Sequence, residues 1–241
     1  IRRQRQMCIR DRPMTTSVAA CEHMQQVANE VGGKLVIAHY RRQLPLFLKV
    51  KELLAQNTIG NVTDVKIVMH KKAAPIEYYE NNWRVNKERA GGGLFYDLAP
   101  HQLDLVFYFF GKAKNYQGSA NNIASLYSVE DTVKGVMQME NGIQFSGEWC
   151  FAIESHMPEQ DAFIIIGSEG RIEFPVFGHT ITIERNNNKE YIEFDVPQHN
   201  QQNLIEKVVT FFLEKGENPC SAEDALQSMQ VMEAFVYGHK K

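Results

Sequence analysis

Cysteine is scarce in this chain. Four are present, Cys8, Cys21, Cys150 and Cys220, none in a C-x-x-C pair, so neither a disulfide framework nor a cysteine zinc site is expected. Their scatter, with no secretory leader in view, points to a reducing compartment, so a cytoplasmic location is the expectation. No apolar run approaches the roughly 20 residues of a membrane-spanning helix. The net charge is −3 and no long basic run follows the first dozen residues, so nucleic acid is not an implied partner. No G-x-G-x-x-G occurs after any predicted strand, so the usual dinucleotide-phosphate turn is missing from the pattern.

The richest stretch is 90–111, A-G-G-G-L-F-Y-D-L-A-P-H-Q-L-D-L-V-F-Y-F-F-G. Three glycines open it, Gly111 closes it, and the segment between is long enough for about four helical turns. Asp97, His101, Asp104 and Tyr108 recur at spacings of four, three and four, which places them on one helical face. Apolar residues fill the other faces, so the helix is expected to be buried and to present this acid–imidazole stripe to something polar. Pro100 fits without penalty only in a first turn, so the regular helix is expected to begin near Asp97. Asp97 then has two readings, as the helix N-cap or as the acid of an Asp97–His101 acid–base pair. A neighbouring carboxylate would fix the tautomer of His101 and raise its pKa. A metal reading of Asp97, His101 and Asp104 is permitted by spacing, but no further cysteine–histidine cluster supports it.

Residues 1–12 are basic and without amphipathic order, resemble translated adapter sequence, and are read as a non-native leader outside the fold. A helix is predicted over 17–31, with Val18, Cys21, Met24, Val27, Ala28 and Val31 on its apolar face, and a buried parallel strand over 34–39. This pair reads as the last unit of a doubly wound domain. Tyr40, Arg41 and Arg42 follow the strand's carboxyl end, where open α/β sheets bind ligands; they are either ligand contacts or solvated helix-entry charge. A helix over 44–56 and a half-wet strand over 62–71 come next. In the loop of 73–90, Trp83 and Arg84 offer a stacking face and a fork for a carboxylate or phosphate, or Trp83 simply anchors the loop. Seven strands are then predicted, at 115–123, 131–139, 143–151, 161–166, 170–174, 179–184 and 190–196, with connections short enough for a largely antiparallel sheet. Helices over 201–214 and 222–237 end the pattern, the last with core-like Ala225, Met229, Met232 and Phe235.

The run G-G-G-L-F-Y-D-L-A-P-H-Q-L-D resembles the signature of the glucose–fructose oxidoreductase and inositol dehydrogenase family (Gfo/Idh/MocA-type). The W-R at 83 and 84, the A-H-Y-R-R at 38–42 and the strand–helix order support the resemblance, which covers 13–237. It implies an α/β protein in which 13–40 is the remnant of a Rossmann dinucleotide-binding domain. The rest, 41–241, would be a substrate-binding and oligomerisation domain with a large, mostly antiparallel open sheet covered by helices on one face. It also implies an NAD- or NADP-dependent oxidoreductase acting on a sugar or polyol, with His101 as general acid/base and Asp97 orienting the substrate. Tyr40 and Arg41 would lie at the substrate, and Tyr40, Trp83, Arg84 and Pro13 at the cofactor. Where the family carries E-K-P, this sequence has Asp11-Arg12-Pro13; an arginine there keeps a positive charge but cannot shuttle a proton. The open sheet implies a homodimer or homotetramer, since an uncovered apolar face is normally buried against a partner. The alternative within the same fold is a non-catalytic sugar-binding or scaffolding relative.

Overall fold

The computed structural model describes residues 8–10, 13–75, 78–79 and 82–238, with the backbone alone for 8–10. A two-stranded parallel sheet pairs β1 (Cys8–Arg10) with β2 (Leu35–Ile37). The sequence reading set Cys8–Arg10 aside with the leader; its backbone is instead hydrogen-bonded to the strand after the first helix. That helix, α1 (Val18–Glu30), is capped by the Ser17 hydroxyl, which accepts from the Ala20 N–H at 3.2 Å. Only Cys21 on it is buried, whereas Val27 and Val31 are 42% and 71% exposed. The predicted apolar face is therefore narrower than its periodicity, because only the Cys21 edge of the helix turns into the core.

β2 runs into a tight 3-10 turn at Tyr40–Gln43, then α2 (Pro45–Ala55) with proline at its permitted start. β3 (Val62–Lys72) leads through a 3-10 turn at Trp83–Val85 and the short α3 (Lys87–Ala90) to α4 (Leu94–Phe110). Seven strands follow: β4 (Ala113–Asn121), β5 (Thr132–Met139), β6 (Gln144–Ile153), β7 (Gln160–Gly167), β8 (Gly170–Phe174), β9 (Thr180–Arg185) and β10 (Asn188–Glu193). The helices α5 (Gln202–Phe212) and α6 (Ala222–Tyr237) follow them.

β3 to β10 form one eight-stranded sheet in the order β10-β9-β8-β7-β3-β6-β5-β4. Every pairing is antiparallel except β3 with β6. β3, from before the long helix, inserts into the middle of the later hairpins and so fixes α4 against the sheet. The inner face of β5 and β6 alternates as the pleat requires, burying Val133, Met137, Phe145 and Trp149. Trp149 donates its indole N–H to the buried Gln102 of α4 at 2.6 Å. α6 packs along β4 and α4, and its Phe235 lies so close to Gly118 and Gly135 that a Cβ on either would collide with it.

The outer face of the sheet is more polar than expected of an uncovered apolar surface. Lys134 pairs with Glu148 at 3.2 Å and Arg171 with Glu184 at 3.0 Å, and Val136 stands among polar neighbours. No helix of the described residues is long and apolar enough to cross a membrane.

Candidate functional site

The glycine approach to α4 is held by side chains from other elements. Glu130 accepts the Gly93 N–H at 2.7 Å, and the Tyr237 hydroxyl donates to the Gly91 carbonyl at 3.1 Å. A Cβ at Gly92 would strike the Tyr96 ring, and one at Gly93 the backbone of Glu130, so the triple glycine is a condition of this close seat. Burial raises the Glu130 pKa from its ordinary value, against the opposing pull of the Gly93 N–H. Burial likewise raises the Tyr96 hydroxyl, which lies near Tyr237 and Glu130.

α4 begins at Leu94, with Gly93 as its extended N-cap, one turn before the start expected from Pro100. Asp97 is therefore inside the helix and does not cap it; its Oδ2 accepts from Arg84 Nε at 2.9 Å. The stripe read from the sequence divides. Asp97 and His101 border a cavity of about 430 Å³. Asp104, at 1% exposure, turns away from it and accepts from Arg42 Nε at 2.9 Å and Nη2 at 2.7 Å. Arg42 also donates to Asp224 at 3.2 Å, and Asp224 completes a capping box with Ser221 at the start of α6. Burial works against the Arg42 charge, but Asp104 outweighs it and holds the guanidinium pKa above its ordinary value. Arg42 thus locks the turn Tyr40–Gln43 to α4 and α6. Among the described residues no group of three His, Cys, Asp or Glu side chains could hold a metal ion.

Tyr40, Arg41, Arg84, Asp97 and His101 line the same cavity, so five of the seven positions picked from the sequence converge. Trp83 does not line it; its ring backs Arg84, with the guanidinium carbon 4.8 Å from the ring centre, and faces a neighbouring cleft. Pro13 borders neither space; its neighbours Asp11 and Arg12 lie outside the described residues. His101 is 6% exposed and sits edge-on to two rings, Tyr40 and Phe177, each with centroids 5.6 Å away. The two rings flank the imidazole where it borders the cavity.

The far wall was not legible in the sequence. Phe177, Gly178 and His179 come from the β8–β9 connection, and Phe194, Asp195 and Asn200 from the chain around and beyond the end of β10. Asp161 on β7 holds the connection, accepting the Val176 N–H at 3.0 Å and the Phe177 N–H at 2.7 Å. Arg41 closes the other side by donating to the Val176 carbonyl, and its guanidinium carbon lies 4.3 Å from the centre of the Phe177 ring. Burial raises the Asp161 pKa, opposed by the two N–H groups and by Arg41.

The sequence profile of the GFO/IDH/MocA C-terminal domain matches residues 47–173. Oxidoreductase P35 of Formosa agariphila is 37% identical over 228 residues, covering 93% of this chain and 69% of that protein. Among solved structures, aldose-aldose oxidoreductase from Caulobacter crescentus complexed with glycerol superimposes with a TM-score of 0.83 at 18% identity, over 95% of this chain and 69% of that one. The WlbA dehydrogenase from Bordetella pertussis, in complex with NADH and UDP-GlcNAcA, does so with a TM-score of 0.76 at 21% identity, over 95% and 68%.

Proposed function

The chain belongs to the Gfo/Idh/MocA family of oxidoreductases, and we propose that it carries the substrate site of an NAD(P)-dependent enzyme acting on a hydroxyl- or carbonyl-bearing sugar or polyol. The observation that carries this reading is the convergence of His101, Asp97, Arg84 and Tyr40 on one cavity at the buried helix α4. In the same reading residues 13–40 belong to a dinucleotide-binding fold and 41–241 to the substrate-binding domain.

A nicotinamide, when bound, supplies the hydride acceptor or donor. The fit of this chain to a dinucleotide is uneven: Tyr40 and Arg84 border the cavity with a ring and with N–H donors suited to the flat, amide-bearing end. No glycine-rich strand-to-helix turn for the diphosphate occurs among the described residues, where β2 passes directly into the turn Tyr40–Gln43. Tyr40 and Arg84 are thus the residues that would hold the nicotinamide end.

The chain's own groups account for the proton. Oxidation of an alcohol removes a hydroxyl proton together with the hydride; in this reading His101, which borders the cavity, accepts it, or returns it in the reverse direction. The edges of Tyr40 and Phe177 limit rotation of the imidazole. Asp97, held at Oδ2 by Arg84, keeps its other oxygen for a substrate hydroxyl. The test is His101→Ala in the protein encoded by the complete reading frame, assayed by nicotinamide absorbance over a panel of sugars and polyols. Turnover should fall by about a hundredfold or more, the usual contribution of general acid–base catalysis. Unchanged turnover would remove His101 from this role, and a wild type inert toward the whole panel would favour the non-catalytic sugar-binding alternative.

A further inference from the structure

The two rings that stand edge-on to His101 are held in different ways. Tyr40 is buried at 7% exposure, so packing fixes it, whereas Phe177 is 40% exposed and needs another source of placement. That source is the turn that carries it. Gly178 N–H donates to the Pro175 carbonyl at 3.4 Å and closes the turn. Such a turn leaves the N–H groups of its two central residues, Val176 and Phe177, without a partner inside it. Val176 is fully buried, where an unpaired N–H is costly. Asp161 accepts both: its Oδ1 takes the Val176 N–H at 3.0 Å and its Oδ2 the Phe177 N–H at 2.7 Å. Bonds to a carboxylate are of the strong, charge-assisted kind. Asp161 is on β7, opposite Met69 of β3, so these bonds tie the turn to strands inside the eight-stranded sheet. On its other side the turn gives the Val176 carbonyl to Arg41, whose guanidinium carbon lies 4.3 Å from the centre of the Phe177 ring. Arg41 borders the cavity and Asp161 does not, so the part played by Asp161 is separable from contact with a ligand.

Resting on the oxidoreductase reading above, we infer that Asp161 is a positioning residue for the reaction: by holding the N–H groups of Val176 and Phe177, it sets the Phe177 ring against the His101 imidazole. Asp161 acts through the turn and the ring, and not on the substrate. Asp161→Ala releases both N–H groups, lets the turn shift and opens the edge-on contact at His101. Asp161→Asn keeps one carbonyl oxygen and retains one of the two bonds, because its amide nitrogen donates and does not accept.

The experiment uses the protein encoded by the complete reading frame and two readouts. One is turnover by nicotinamide absorbance. The other, independent of activity, is the NMR shift of the His101 ring protons, which a neighbouring aromatic ring displaces. Asp161→Ala should lower turnover by about tenfold or more, since a small misplacement at the reacting atoms can cost up to about a hundredfold. It should also move the His101 resonances while leaving those of the exposed His23 on α1 in place. Phe177→Leu should do both as well. Residues that act as one unit are not additive, so the double variant should be no worse than the more damaging single one. Asp161→Asn should fall between the wild type and Asp161→Ala. Turnover and His101 resonances unchanged in Asp161→Ala would overturn the inference. So would losses that multiply in the double variant, or a His23 resonance that moves with His101, since both mark a general loosening of the fold. Should Asp161→Ala fail to fold, Asp161→Asn takes its place in the same double variant. A wild type inert toward every sugar and polyol would count against the oxidoreductase reading, and the His101 resonances would then decide alone whether Asp161 sets Phe177 against the imidazole.

Discussion

Two Arg–Asp pairs hang from the same helix and do opposite things. Asp97 and Asp104 lie two turns apart on one face of α4, and each meets an arginine at 2.9 Å or closer. The Arg42–Asp104 pair is buried, at 7% and 1% side-chain exposure, whereas Arg84–Asp97 sits at 40% and 31%. The first is two-pronged, with one further bond to Asp224, and pins three elements; the second is single-pronged and open to the cavity. Sequence spacing could not separate them, because the stripe is the same for both. The partner and its depth make the difference: Arg42 arrives from a buried turn packed against α5, and Arg84 from the more exposed turn Trp83–Val85. A buried charge without its partner is far more costly than an exposed one, so the two pairs should respond differently to loss of their acids.

The largest expected effect is at the buried end. Asp104→Ala leaves the Arg42 guanidinium in a dry site and should destabilise the fold by roughly 3–5 kcal/mol, measured by denaturant unfolding. A loss below about 1 kcal/mol would mean that water reaches Arg42 and that the two pairs are not different in kind. The next effect is at the open end and should reverse the pattern. Asp97→Asn should change stability by at most about 1 kcal/mol, since a half-exposed pair is screened. The same variant should lower turnover by about tenfold or more through lost orientation of the substrate hydroxyl. Equal stability losses in the two variants would show that depth is not what distinguishes them.

How much was legible follows from the same physics. The strand and helix elements after Gly111 were read with boundaries close to those observed, because alternation and short turns are local signals. The insertion of β3 between β6 and β7 was not readable, since no local pattern encodes which distant strand becomes a neighbour. That His101 and Asp97 share one face was legible because a helix stripe is visible in one dimension, and both border the cavity. Phe177, His179 and Asp195 were missed because they stand on connections at the end of the sheet, where hydrogen bonding and not periodicity places them. The start of α4 was misplaced because Pro100 was given full weight as a first-turn residue. In the structure the packing of Phe95 and Tyr96, each at most 1% exposed, carries the helix one turn further back.

The smallest expected effect concerns a third carboxylate, one that is buried and has no arginine partner among the described residues. Glu130 lies behind the glycine loop at 9% exposure, with the Gly93 N–H as its described hydrogen-bond donor. Burial raises its pKa, so the ionised form is less comfortable in the folded chain than in the unfolded one. The sign is then opposite to that of an ordinary paired carboxylate. The stability contributed by its protonated form is complete below the unfolded value and is lost as pH rises from the usual carboxylate range through the raised one. Glu130→Gln keeps a carbonyl oxygen for the Gly93 N–H and removes the charge. It should therefore match or exceed the wild type in stability at neutral pH, by up to about 1 kcal/mol. The advantage should shrink as pH is lowered into the acid range where Glu130 is itself neutral. Thermal unfolding of both proteins across that range decides it: a Gln variant less stable than wild type at neutral pH would mean that the negative charge itself holds the loop. Glu130 would then belong with Asp104, as an anion the fold requires, and not with the groups whose charge the fold merely tolerates.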